Sequence, residues 1–210
     1  IPARLESVRL PKKLLRIVAG KPLIQYAYEN AKKAKKPRQV LVACDHIDLV
    51  RIVQSFGGEA VMTSTRHQSG TERLAEVAEN NKTDIFINLQ ADEPLMHPSI
   101  IDDLISCMEA SPECVMATAC IRLRDEHDFK SPNVVKVVKN QKDEALYFSR
   151  APIPHDRDQQ QIDFFKHLGI YVYRRDFLLK IPTLKASVLE KREKLEQLRV
   201  LDNGFSIKVL

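Results

Sequence analysis

The sequence predicts an α/β fold. Its first half reads as a mostly parallel sheet with helices on both faces, and its second half as an antiparallel extension, so the sheet is mixed. Three observations carry this. Short apolar runs alternate with segments of helical period from Pro22 to Ala110. From Val115 to Tyr173 the strand-like runs lie close enough in sequence to pair antiparallel. The chain has 210 residues, 44% of them hydrophobic and 29% charged, which fits one globular domain and excludes a wholly disordered chain.

The elements follow in order. Pro22 to Lys36 reads as a helix, with an early Pro and then Leu23, Ile24, Ala27, Ala31 and Ala34 at helical spacing. Gln39 to Ala43 is a buried strand. Asp45 or Asp48 is expected to cap the next helix, which runs through Leu49, Val50 and Val53 and stops at Gly57-Gly58. Glu59 to Met62 is a short strand. Ser69 to Asn80 is a helix with Ser69 as its cap. Asp84 to Leu89 is a buried strand, and Pro98 to Ala110 a helix. Strands follow at Val115 to Ile121, Asn133 to Lys139, Glu144 to Phe148 and Phe164 to Tyr173, with Asn140 to Asp143 as a hairpin turn. Arg157 to Asp163 is a polar loop. Ser187 to Val200 reads as one charged helix with Leu189, Leu195 and Leu198 on one side.

Several function classes lose support at once. No apolar run approaches the roughly 20 residues of a membrane helix, and no signal-peptide pattern is present. Cys44, Cys107, Cys114 and Cys120 form no CxxC pair and read as reduced thiols. The net charge of +5 suits anionic ligands. The basic run Lys32 to Arg38 has no interleaved aromatics, which speaks against nucleic acid and for a solvated helix end. The chain opens without Met, and Phe205 to Leu210 alternates like a strand that stops mid-pattern. Residues are therefore expected to be missing at both ends.

Chemistry concentrates in four places. Arg4, Ser7, Arg9 and Lys13 lie on a loop at a strand end, where open α/β sheets bind ligands, and can wrap a polyphosphate or form a solvated basic loop. Neither a GxxxxGK[ST] loop nor a GxGxxG fingerprint is present. Asp92 and Glu93 follow the strand Asp84 to Leu89 and suit Mg²⁺, which takes one or two carboxylates plus substrate phosphates, or they serve turn chemistry before Pro94. His67 to Arg73 supplies small residues at a helix start, fit for a base, a phosphate or a cap. Arg150, His167, Tyr171 and Gln197 can bind a polyhydroxylated acid, Arg150 through its carboxylate, or can be ordinary strand and surface residues.

Together the segments IPARLESVRLPKKLL, HQSGTERLAEV, NLQADEP, ALYFSRAPIP, KHLGIYVY and KLEQLRVL closely resemble the 3-deoxy-manno-octulosonate (Kdo) cytidylyltransferases, or CMP-Kdo synthetases, over nearly the whole chain. The resemblance implies a three-layer, Rossmann-like nucleotide-diphosphosugar transferase domain. It implies one domain over 1–210, with a nucleotide-binding half at about 1–110 and a sugar-binding and dimerisation half at about 111–210. It implies a cytoplasmic, Mg²⁺-dependent homodimer that joins CTP to Kdo, giving CMP-Kdo and pyrophosphate for lipopolysaccharide, with no nucleic-acid or membrane partner.

The resemblance also implies roles at matching positions. Arg4, Lys13 and Asp92 are the catalytic residues, Asp92 as the metal ligand. Ala3, Arg4, Ser7, Arg9, Lys13, Gln68, Ser69, Gly70, Thr71 and Arg73 lie along CTP. Gln90, Arg150, His167, Tyr171, Glu196 and Gln197 surround the sugar acid. The family's second metal-binding Asp sits in a VDTPEDL-like segment that does not occur here. Lys12 stands where the family has Gly and Leu14 where it has Pro. If that Gly is left-handed, Lys12 costs roughly 1–2 kcal/mol. Ala91 replaces a Gly and matters little unless its φ is positive. Two alternatives stand beside this reading: a cytidylyltransferase for another acid sugar, such as 8-amino Kdo or a sialic acid, and a non-catalytic binder on the same fold.

Overall fold

The computed structural model describes residues 1–6, 10–158 and 163–210. Among them, β1 (Pro2–Ala3), β4 (Val42–Cys44) and β5 (Ala60–Met62) pair in parallel in the order β1-β4-β5. The remaining large sheet is mixed. Its spine is β10 (Phe165–Arg174), which pairs antiparallel with β7 (Met116–Arg122) along one edge. Along the other edge it pairs antiparallel with β8 (Lys136–Lys139) near its start and β6 (Ile85–Leu89) near its end. β9 (Ala145–Ser149) pairs with β8, and β11 (Lys208–Val209) runs parallel to β7. The parallel-then-antiparallel reading holds in outline, with three differences: the parallel strands form a sheet of their own, β6 pairs antiparallel with β10, and β11 runs parallel to β7.

β10 alternates as a strand between two layers must. Ile170 and Val172 enter one core with β1, β4 and three helices, α1 (Leu23–Lys33), α2 (Ile47–Ser55) and α4 (Pro98–Ala110). Tyr173 enters the other, where Tyr171 packs against it, with α3 (Gly70–Glu79), α6 (Arg175–Lys180) and β9. A register shift between Leu168 and Tyr171 separates the two halves of β10.

Several expectations are corrected. α1 stops at Lys33, where Ala34 turns extended and the backbone amides of Lys35 and Lys36 are captured by Asp102 of α4 at 2.9 and 2.8 Å. His46, not Asp45 or Asp48, caps α2, its ring accepting from the Asp48 amide. The strand expected at Gln39 to Ala43 is Val42–Cys44, the stretch flanked by both β1 and β5. A short hairpin, β2 (Ile17–Val18) and β3 (Lys21–Pro22), was not foreseen; its turn residues Ala19 and Gly20 both have positive φ, 46° and 83°. The charged helix expected over Ser187 to Val200 is two, α7 (Val188–Glu193) and α8 (Gln197–Asp202). Lys194 turns left-handed between them (φ 55°), which sinks Leu195 into the second core and carries Glu196 to α3. A further short helix, α5 (Glu126–Lys130), was read as neither helix nor strand.

α4 begins and ends where expected, and Ser69 caps α3 by accepting from the Glu72 amide. Asn140 Oδ1 accepts from the amides of Lys142 and Glu144 and closes the β8–β9 hairpin. All four cysteines are free thiols. No helix among the described residues is long and apolar enough to cross a membrane.

Candidate functional site

The carboxyl ends of β1, β4, β5 and β6 deliver Arg4, Asp45, Thr63 and the Gln90 to Glu93 turn, the place where open α/β sheets hold ligands. Arg4 is exposed and has no hydrogen-bond or ion-pair partner among the described residues, while Ala3 before it is buried. Ser7 and Arg9 lie outside the described residues. Lys12 is left-handed, φ 51° and ψ 36°, and opens a single helical turn at Lys13–Leu15. The strain foreseen for a side chain there is therefore present. Leu14, in place of Pro, is buried in the first core.

That turn aims Lys13 at the end of β6, where its Nζ lies 2.7 Å from Asp92 Oδ2 across 79 positions of sequence. Asp92 is about half exposed, so its carboxylate can exchange this partner for another cation. Glu93 beside it is more enclosed, and burial, then Asp92, raises its pKa. Ala91 is buried, and its φ is not positive, as that substitution requires. A hard, exposed carboxylate with a cationic neighbour fits Mg²⁺ shared with substrate phosphates. Asp125, His127 and Asp128, a surface group also at ligand spacing, lie on the turn into α5, where Asp125 caps the helix and Asp128 pairs with Lys166.

α3 holds the turn before it with three of its own side chains. Glu72 accepts from the Gln68 amide at 2.7 Å. Glu76 accepts from the Ser64 amide at 2.9 Å and pairs with His67 Nε2; those hydrogen bonds, His67 first, lower its pKa. Arg73, expected along CTP, is enclosed. It is 3% exposed, and its guanidinium donates to Thr63 Oγ1 (2.6 Å), Ser64 O (3.1 Å) and Asp45 Oδ2 (3.4 Å). The other oxygen of Asp45 accepts from the Leu5 amide at 2.8 Å. Arg73 therefore holds the start of the cationic loop through Asp45, with its guanidinium turned inward. Gly70 passes close to β1, where an added Cβ would lie 3.0 Å from the Pro2 ring.

Thr71 is likewise enclosed at 2% exposure. Its hydroxyl donates to Glu196 Oε2 (2.8 Å), and the Ser69 hydroxyl donates to Glu196 Oε1 (2.7 Å). Glu196 thus ties α8 to the start of α3, and both its oxygens are occupied within the protein. Burial raises its pKa, opposed by those hydroxyls. Gln68, Ser69, Glu72, Glu196 and Arg199 line a cleft of about 300 Å³ there. A larger cavity of about 770 Å³, lined by Val40, Leu74, Phe86 and Ile105 among others, includes none of the residues assigned to the site.

On the other side, Arg150 follows β9. Its Nε donates to Glu193 O (2.7 Å) and its Nη1 to Pro132 O (2.9 Å). The Ser149 hydroxyl and the Arg150 amide donate to the Glu193 carboxylate at 2.6 and 2.8 Å. Lys136, fully buried, donates to Ser131 O, Val134 O and Arg150 O at 2.9, 2.7 and 2.5 Å. The guanidinium is held from behind, and no described residue pairs with Nη2. His167 is 9% exposed, packs edge-on to Phe148 and tilted against Tyr171, and lies 2.9 Å from Thr118 Oγ1 through Nε2. Burial pushes its pKa down to about 3, so the ring is neutral. Gln90 donates to Asn88 Oδ1 at 3.3 Å and packs by Gly169, where a Cβ would crowd it and Glu93. Gln197 Nε2 is the one fully enclosed side-chain nitrogen or oxygen among the described residues without a partner.

The structure therefore brings Lys13 to Asp92, Ser69 and Thr71 to Glu196, and His167 to Tyr171. It turns Arg73 and Thr71 inward. Sequence reasoning missed Asp45, Lys136, Glu193 and Thr118, which hold other site residues. Lys136 carried a usable signal, a lysine inside the apolar run Val134 to Val138.

The sequence profile of the family described as Cytidylyltransferase matches residues 1–207. The 3-deoxy-manno-octulosonate cytidylyltransferase of Geotalea daltonii is 47% identical, over 100% of this chain and 87% of that protein. The enzyme of the same name from Geobacter metallireducens is 46% identical over the same shares. A solved structure of CMP:2-keto-3-deoxy-manno-octonic acid synthetase complexed with CTP superposes with a TM-score of 0.95 at 43% identity, covering 100% of this chain and 86% of that one. A cytidylyltransferase from Leptospira borgpetersenii serovar Hardjo-bovis, at 15% identity and a TM-score of 0.64 over 100% of this chain and 73% of that one, shares the fold.

Proposed function

This chain belongs to the 3-deoxy-manno-octulosonate cytidylyltransferases, and on that premise we propose that it joins CTP to Kdo at the strand ends described above, releasing pyrophosphate. The product, CMP-Kdo, is the activated sugar for lipopolysaccharide. The anomeric hydroxyl of Kdo attacks the α-phosphorus of CTP in line. A new C–O–P link forms, the bond from that phosphorus to pyrophosphate breaks, and the hydroxyl's proton passes to solvent.

Charge grows on the leaving pyrophosphate. Arg4 and Lys13 sit where two cations can meet it, with Ser7 and Arg9 between them in sequence. Asp92 is the residue placed to hold Mg²⁺ with the substrate phosphates, and the ion, when bound, would neutralise phosphate charge. Lys13 then passes from Asp92 to the triphosphate. The backbone from Gln68 to Gly70 is the surface offered to the cytidine. Arg150, backed by Glu193 and Lys136, offers its remaining N–H groups to the Kdo carboxylate, and Gln90, His167, Tyr171 and Gln197 orient the hydroxyls. Glu196 acts from behind, through Ser69 and Thr71. The enzyme works as a cytoplasmic homodimer.

The observation that supports this reading most is the near-complete superposition, at 43% identity, on a synthetase complexed with CTP. The test is Mg²⁺-dependent pyrophosphate release from CTP with Kdo, 8-amino Kdo and a sialic acid offered in parallel. Release preferring Kdo supports the assignment. Preference for another acid keeps the chemistry and moves the substrate. Silence from folded protein with all three favours a non-catalytic binder.

A further inference from the structure

Thr118 lies in β7 beside the sugar-acid side and is fully buried. Its hydroxyl oxygen is 2.6 Å from Ile170 O and 2.9 Å from His167 Nε2. A second carbonyl oxygen, Leu168 O, stands at 3.5 Å. The hydroxyl has one proton. Two oxygens at 2.6 Å need a proton between them, since a carbonyl has none to give and opposed lone pairs repel. The Thr118 proton is thus committed to Ile170 O. The contact to Nε2 is then a hydrogen bond only if Nε2 carries a hydrogen and donates to Thr118.

This fixes the tautomer. A neutral imidazole with its proton on Nε2 has a bare lone pair on Nδ1. No described residue pairs with Nδ1. The ring packs between Phe148 and Tyr171, and His167 as a whole keeps 9% of its surface exposed.

We infer that Thr118 is a positioning residue that makes His167 an obligate hydrogen-bond acceptor at Nδ1, so that this position accepts from a hydroxyl of the sugar acid and offers nothing to its carboxylate. This rests on the reading of His167 as a sugar-acid contact. It divides the labour: Arg150 takes the carboxylate, and His167 requires a donor hydroxyl, rejecting an acid that has a hydrogen or an acceptor there.

Two measurements test it. In ¹⁵N-edited NMR of the imidazoles, with His167→Gln to assign the signals, the wild-type His167 should show a protonated Nε2 and an unprotonated Nδ1 without substrate. A proton on Nδ1 overturns the inference. In steady-state kinetics, Thr118→Val keeps the shape and removes the hydroxyl. It should raise the KM for Kdo about tenfold and leave the KM for CTP within about twofold, and Thr118→Ser should restore most of the loss. An unchanged Kdo KM, or equal rises for both substrates, overturns it even if the variant is less stable. If the wild-type proton is on Nε2 but His167→Gln leaves the Kdo KM untouched, the tautomer stands, and the reading of His167 as a contact falls together with the role drawn from it.

Discussion

On the side of β1 and β6 the charged groups stand in water. Asp92 and Lys13 have side chains 48% and 35% exposed, and Arg4 has no partner among the described residues. They come from loops, one of which strains Lys12 into a left-handed turn. On the side of β9 and β10 the polar groups are enclosed and held. Lys136 is fully buried on three carbonyls, Arg150 is fastened at Nε and Nη1, and His167 is neutral. The difference suits the two ligands. A triphosphate brings charge that exposed cations can follow as it departs. A sugar acid is recognised by a pattern of hydroxyls, and only fixed donors and acceptors read a pattern.

The largest expected effect breaks the first side. Asp92→Asn removes charge from the residue proposed to hold the metal, and turnover should fall by on the order of 10²–10³ while the KM for CTP changes little. Wild-type turnover of that variant at saturating Mg²⁺ would remove Asp92 from the mechanism. The next breaks the second side. Lys136→Met leaves three half-buried carbonyls short of a donor and should cost about 2–4 kcal/mol in urea unfolding. Because Arg150 O is one of the three, the KM for Kdo should rise as well. Unchanged stability would contradict the account of Arg150 as held from behind.

Two smaller effects sharpen the contrast. Hydrogen bonds lower the pKa of Glu76, and burial raises that of Glu196. A lowered carboxylate contributes stability above its unfolded value, and this is lost as pH falls through the folded value. Glu76→Gln should therefore destabilise by about 1 kcal/mol near neutral pH, with the gap to wild type closing on acidification in thermal melts. A gap that widens toward acid would reverse the sign argued here. The smallest is Lys12→Gly. Relief of roughly 1–2 kcal/mol of left-handed strain is partly offset by the freer unfolded chain. The melting temperature should rise by no more than about 4 °C, and a fall would mean that the Lys12 side chain itself holds the loop.

How much of this was legible beforehand follows the same divide. Strand and helix order was readable from period, and α4 matched at both ends because His97-Pro98 is a local start signal and Ser111 a local stop. The break at Lys194 was not readable, since no Gly or Pro marks it and the burial of Leu195 drives it. Among the site residues, motif position put Lys13 on the triphosphate and Asp92 on the metal, and their pairing with each other had no signal in the sequence. It also put Arg73 and Thr71 along CTP, and both side chains are buried on partners within the protein, because a motif does not say which way a helical side chain turns. Asp45 and Thr118 act through partners distant in the chain and have no local pattern to betray them.

The central claim is that one enzyme joins an exposed, electrostatic nucleotide site to an enclosed, directional sugar site. The most direct test is initial-rate pyrophosphate release with CTP and Kdo varied together at low and at high ionic strength. Screening acts on exposed charge and spares buried pairs, so the account predicts that the KM for CTP rises severalfold with salt while that for Kdo moves much less. Equal salt dependence of the two, or dependence confined to Kdo, would contradict it.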